Sequence, residues 1–127
     1  MKINEATQIA LEILVFLAEK GKGKIFTCSQ IAKAIERSCS FTEHVYSKLR
    51  KAHLVKTKKG PGGGISLHLN PGEINLLTVI EAMGGKLEYR DTARSKMYQK
   101  GIHTVLNKVT YDMRAELKDC SIYFLIH

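Results

Sequence analysis

Apolar residues at Ile9, Ala10, Ile13, Leu14, Leu17 and Ala18 recur at i, i+4, i+5 and i+8, the rhythm of an amphipathic helix. This first helix should span about residues 4–20 and stop at Gly21-Lys22-Gly23. Thr27 with Gln30 has the spacing of a capping box, and Ile31, Ala32 and Ile35 form the buried stripe of a second helix. Residues 36–39 read as a turn. Ser40 with Glu43 repeats the capping-box spacing and opens a third helix, in which Val45, Leu49 and Ala52 face inward. Two short helices joined by so tight a turn make a helix-turn-helix. Leu54-Val55 then begins a strand, Lys59-Gly60-Pro61-Gly62-Gly63-Gly64 reverses it, and Ile65, Leu67 and Leu69 alternate with Ser66, His68 and Asn70 on the return. Asn70-Pro71-Gly72 ends this hairpin. Ile74, Leu77, Val79, Ile80 and Met83 give a fourth helix that stops at Gly84-Gly85.

Residues 86–100 are polar and poorly periodic, but Ile102, Val105, Leu106, Val109, Met113 and Leu117 restore a helical stripe. That helix can fold back on the preceding domain or pair with its copy across a two-fold axis, and pairing is the favoured reading. The apolar tail at residues 122–126 should be buried on the same assembly. The expected architecture is therefore mainly α with a small β-hairpin. A winged helix-turn-helix domain occupies residues 1–85, and a linker loop, a long dimerisation helix and the tail occupy residues 86–127.

Charge sharpens the picture. Between residues 44 and 72 there is no Asp or Glu, while Lys48, Arg50, Lys51, Lys56, Lys58 and Lys59 supply six positive charges in a chain of net charge +8. So local an imbalance favours nucleic acid over general solubility. No stretch has the roughly 18 to 20 apolar residues of a membrane span, and the amino terminus lacks a signal-type apolar segment, so a cytoplasmic protein without membrane contact is expected. Cys28, Cys39 and Cys120 have neither zinc-finger spacing nor a CxxC pair and are expected as free thiols; Cys39 and Cys120 read as buried and inert, against a redox role for Cys120 near Lys118 or an activated Cys39 at the start of the third helix. His103 and His127 lack partners at metal-ligand spacing.

The first residues of the second helix of a helix-turn-helix reach base edges in the major groove, which nominates Ser40, Phe41, Glu43 and His44. Glu43 can accept from a cytosine amino group, Ser40 can pair with base or phosphate, and Phe41 can press on a thymine methyl. Against this, Ser40 and Glu43 serve equally as caps, and Phe41 as core. His44, Lys48 and Lys51 share a face suited to a phosphate track. Lys58 and Lys59, beside the flexible turn Gly60, Pro61, Gly62, Gly63 and Gly64, suit a narrow minor groove. An enzyme is not expected: the glycine turn leads into a strand and lacks the GxxxxGK[ST] pattern of a phosphate loop, and no triad or paired-carboxylate site is visible. A winged module that binds RNA or protein remains the alternative.

Taken together, Ser40-Phe41-Thr42-Glu43-His44, Lys48-Leu49-Arg50-Lys51-Ala52-His53-Leu54-Val55, the glycine turn and Leu76-Leu77-Thr78-Val79-Ile80-Glu81-Ala82-Met83-Gly84-Gly85 resemble the IscR, NsrR and CymR family of small dimeric bacterial transcription regulators. The resemblance covers residues 1 to about 85 and is weaker beyond. It implies a homodimer on a double-stranded DNA operator, most naturally a repressor, with the effector or regulatory protein it answers to left open. Family members often carry arginine at the position of Lys59, and lysine should read groove shape less sharply. The family's best-known members hold an iron-sulfur cluster through three cysteines in the loop before the long helix. Residues 86–101 contain none, so no cofactor is expected.

Overall fold

The computed structural model describes residues 3–126. Asn4 caps α1 (Glu5–Lys20), its side chain accepting from the Thr7 amide at 2.8 Å, and Gly21 at φ 117° closes the helix. Ile9, Ala10, Ile13, Leu14 and Leu17 are all buried, as their spacing requires. Thr27 and Gln30 form the reciprocal capping box that opens α2 (Cys28–Ile35).

The next cap differs from expectation. Ser38, not Ser40, accepts from the Phe41 amide at 3.1 Å, so α3 (Cys39–Lys51) begins earlier and the expected Ser40–Glu43 box does not form. The turn is shorter because both of its ends are fixed. Glu36 takes the left-handed conformation at φ 57° and ends α2. Arg37 then grips α1 through Glu12, its Nε and Nη2 each donating at 3.1 Å, and reaches Glu5 at 3.4 Å. Ser38 is the first residue free to cap. Cys39, expected in the turn, is the first residue of α3.

Pairing in the hairpin also starts late. Leu54 and Val55 are buried plugs rather than paired strand, and β1 (Lys56–Lys58) pairs antiparallel with β2 (Gly64–Ser66) from Lys56↔Ser66 to Lys58↔Gly64. Ile65 pairs on its other side with Phe26, their backbone groups exchanging bonds of 2.8 and 2.9 Å. The hairpin is thus sewn to the segment before α2. Ser66, expected to face outward, is buried with its Oγ 3.0 Å from His68 Nε2. Gly64 needs to be glycine: at φ 152°, a Cβ would lie 2.3 Å from the Phe26 carbonyl oxygen.

A 3-10 turn (Pro71–Glu73) precedes α4 (Leu76–Ala82), which Asn75 caps through the Thr78 amide. Ile74, expected within that helix, is buried just before it. Residues 96–101, expected as loop, belong to α5 (Lys96–Asp119), a helix of 24 residues with none buried. The tail divides. Ile122 is fully buried in the core of this same chain, held by Ile122 N–H to Ile74 O at 2.9 Å and Leu76 N–H to Cys120 O at 2.8 Å. Tyr123, Phe124 and Leu125 are exposed, so the tail is not buried as a unit. Strand-like pairing of Ser121 with Asn75 turns Ile122 inward and its neighbours outward.

Thr42 is fully buried on α3, and its hydroxyl has no hydrogen-bond partner among the described residues. A buried polar group left unpaired costs about 1–3 kcal/mol. Thr42→Val keeps the shape and removes that group, so it is expected to raise stability by about 1 kcal/mol in urea unfolding. An unchanged or lower midpoint would show that the hydroxyl is paired in solution.

Candidate nucleic-acid interface

α3 packs on α1 and α2 through Thr42, Val45 and Leu49, leaving the opposite face to solvent. Ser40, Phe41, Glu43 and His44 are all exposed over its first two turns. Phe41 is 59% exposed, so it is not a core residue. Lys51 is exposed further along and Lys48 is half-buried. Ser47 also belongs on this surface: Ser40, His44, Ser47 and Lys51 run at i, i+4, i+7 and i+11, a single helical stripe. Ser47 carries no charge, so only its helical period marks it in the sequence.

Residues 52–55 connect α3 directly to the wing. His53 takes a left-handed conformation at φ 61°, its N–H donating to Arg50 O at 2.9 Å, and the buried Leu54 and Val55 anchor the connection. Helix and hairpin are therefore positioned by the same core. Lys56, Thr57, Lys58 and Lys59 are exposed. Lys56 and Lys58 lie on one face of β1 by the two-residue period of a strand, which adds Lys56 to the lysines nominated from the turn alone. At the tip, Gly60 and Gly62 have φ of 86° and 73°, and Gly63 N–H donates to Gly60 O at 2.9 Å. A Cβ on Gly63 would fall 2.2 Å from the Lys58 carbonyl oxygen, so the tight turn excludes side chains there.

The cations of this surface are uncommitted. Among the described residues the ion pairs are made by Arg37, His103, Lys108 and Arg114; none involves Lys48, Arg50, Lys51, Lys56, Lys58 or Lys59. Arg37 differs in kind, since the hydrogen bonds it donates to Glu12 raise its pKa further and commit its charge inside the fold. The basic last turn of α3 also suits the negative end of that helix.

α5 presents a second exposed feature. Ile102, Val105, Leu106, Val109 and Met113 form a stripe along it, each about 40–60% exposed. Arg114 ties the helix to its own domain, donating to Leu87 O at 3.1 Å and lying 3.6 Å from Glu81. His103 lies on the surface, 3.7 Å from Asp91 and beside the Tyr89 ring. His127 lies outside the described residues.

A helix-turn-helix whose second helix leads through four residues into a glycine-tipped hairpin, followed by a long helix, defines the winged helix-turn-helix class. The chain belongs to the Rrf2 family, described as iron-dependent transcriptional regulators, which it matches over residues 3–127. That membership places it among transcription regulators rather than enzymes. It is 34% identical to the regulator NsrR of Bacillus subtilis over 80 residues, which are 63% of this chain and 55% of the relative. Against IscR of Aliivibrio salmonicida the figures are 27% over 117 residues, 92% of this chain and 70% of the relative. The chain thus matches little more than half the length of the first. CymR, the global cysteine regulator of B. subtilis, has the same fold, with a TM-score of 0.83 at 22% identity over 98% of this chain and 95% of the other.

The family description raises the question of iron. Here Cys28 opens α2, Cys39 opens α3 and Cys120 caps the end of α5, while the segment between α4 and α5 carries no cysteine. Among the described residues no three His, Cys, Asp or Glu side chains are grouped to hold a metal ion. This donor set does not fit a cluster in the loop before α5. No described helix is long and apolar enough to cross a membrane.

Proposed function

We propose that the protein is a homodimeric, operator-specific repressor that lays α3 in the major groove and its wing along the flanking minor groove. The observation that carries this reading is the run of cations, outside every ion pair among the described residues, that continues from α3 onto the wing, beside an exposed helix start bearing Ser40, Phe41, Glu43 and His44. Phosphate contacts from Lys48, Lys51, Lys58 and Lys59 fix register, and the four residues at the start of α3 read bases. The turn Gly60, Pro61, Gly62, Gly63 and Gly64 lets the backbone approach the sugar-phosphate chain. Pairing of the α5 stripes places two winged domains about a two-fold axis, so the operator is near-palindromic with half-sites about one helical turn or a multiple apart. Bound there, the dimer excludes polymerase. Its domains are residues 1–85 for DNA and 86–127 for pairing, it acts in the cytoplasm, and it needs no resident cofactor. An effector or regulatory protein sets its occupancy.

Selection of bound fragments from the source genome, followed by fluorescence anisotropy, tests the reading. The expected result is a palindromic site bound at least about a thousandfold more tightly than random duplex. Affinity is expected to fall by about four orders of magnitude between 50 and 200 mM salt, from about eight phosphate contacts, four in each protomer. Preference for RNA, or affinity indifferent to duplex sequence, would replace the repressor with a general binding module.

A further inference from the structure

We propose that Cys28 and Cys39 form a dithiol that hydroperoxides close to an intramolecular disulfide across the helix-turn-helix. Although eleven residues apart in sequence, their Sγ atoms are 2.8 Å apart, and the Cys28 thiol donates to the Cys39 carbonyl oxygen at 3.3 Å. A disulfide bond is about 2.05 Å long, so the sulfurs need approach by only about 0.8 Å. Neither is placed by chance contact of mobile chains. Each is the first residue of a helix with its own cap, Thr27 for α2 and Ser38 for α3. Their surroundings differ as a reactive pair requires. Cys39 is exposed and Cys28 is half-buried. Burial, with the Cys39 sulfur alongside, pushes the Cys28 thiol up to about 12, so Cys28 keeps its proton and Cys39 meets the oxidant.

The chemistry balances with a hydroperoxide as oxidant. The Cys39 thiolate attacks the peroxide: an S–O bond forms, the O–O bond breaks, and the alkoxide leaves as alcohol, or as water from hydrogen peroxide. Sulfur gives up two electrons and the peroxide takes them, leaving a sulfenic acid on Cys39. Burial still holds the Cys28 thiol up, so its proton leaves in the attack itself and passes to the departing hydroxide. Cys28 attacks the Cys39 sulfur; an S–S bond forms, the S–O bond breaks, and hydroxide leaves as water. Two thiols and one hydroperoxide become one disulfide, one alcohol and one water. A thiol reductant reverses the bond by exchange.

Closure pulls on the first turn of α3 next to Ser40 and Phe41. Resting on the DNA-binding role proposed above, the disulfide form should bind the operator about tenfold more weakly, the cost of about one misplaced base contact.

The test treats the full chain with dilute hydrogen peroxide and follows free thiols, intact mass and linked peptides. Loss of two of the three thiols, a mass decrease of about 2 Da, a Cys28–Cys39 cross-linked peptide and recovery with dithiothreitol are expected. Cys120→Ser should behave like the parent. Cys28→Ser should accumulate a dimedone-reactive sulfenic acid at Cys39, whereas Cys39→Ser, altering an exposed side chain, should form no internal disulfide. Three thiols surviving peroxide, pairing through Cys120, or direct passage to sulfinic acid in the parent would each overturn the dithiol. These readouts use no DNA, so failure of the operator reading leaves them decisive. A disulfide that forms while operator affinity is unchanged would overturn only the effect on binding.

Discussion

Val105→Asp with Val109→Asp is expected to turn the proposed dimer into a folded monomer and to weaken operator binding by at least about a hundredfold. Both valines lie mid-stripe on α5, 59% and 48% exposed in the single chain. Burial of a valine contributes about 1.5–3 kcal/mol, and an unpaired carboxylate at a closed apolar contact costs several kcal/mol more. Across a two-fold axis every substitution acts twice. The dimer dissociation constant should therefore rise by at least about a thousandfold, some 4 kcal/mol, visible by sedimentation equilibrium at micromolar concentration. Folding should survive, because α5 contains no buried residue. The circular dichroism spectrum should show most of its helix retained. The DNA effect follows from lost linkage: a second half-site is bound at high effective concentration only while the first domain holds its partner. A variant that remains dimeric would move the subunit contact elsewhere, with exposed Tyr123 and Phe124 the next apolar surface to alter.

The same stripe shows how far sequence carries. Hydrophobic period placed α1, α2, α4 and α5, and Thr27 with Gln30 gave the start of α2, because these signals are local and physical. The start of α3 was misplaced because two serines compete for one cap. The choice is made by Arg37 reaching Glu12 and Glu5, residues 25 and 32 positions away. No local pattern contains that information. Leu54 and Val55 look like strand because they are apolar, yet they fill the core beneath the hairpin. At the candidate site, the cationic run and the glycine turn were legible, since charge and φ demands are properties of single residues. Exposure of Phe41 was not, because it depends on where the helix begins and which face α1 covers. The Cys28–Cys39 contact was equally hidden: their separation of eleven residues matches no motif, and only packing of α2 on α3 brings the sulfurs together.

Lys58→Gln with Lys59→Gln is expected to leave the fold intact and weaken operator binding by about two to three orders of magnitude at 0.15 M salt. Both side chains are exposed and outside every described ion pair, so their loss should not disturb the hairpin. In a dimer the two changes remove four charges from the wings. Each phosphate contact adds about 0.9 to the slope of log affinity against log salt, so the slope should become shallower by about 3 to 4. This loss should fall nearly equally on specific and random duplex, because phosphate contacts position without reading sequence. Arginine at the two sites separates charge from shape. A lysine is a hydrated point charge, whereas the guanidinium is planar, more weakly hydrated and favoured in narrow grooves. Lys59→Arg should therefore keep the salt slope and increase preference for sites flanked by A·T-rich sequence. If the double glutamine variant kept its full salt slope, the wing would not touch phosphate, and Lys48, Arg50, Lys51 and Lys56 would have to carry the electrostatic contact. A normal slope with altered flanking preference would instead assign the wing to groove shape and α3 to the phosphates.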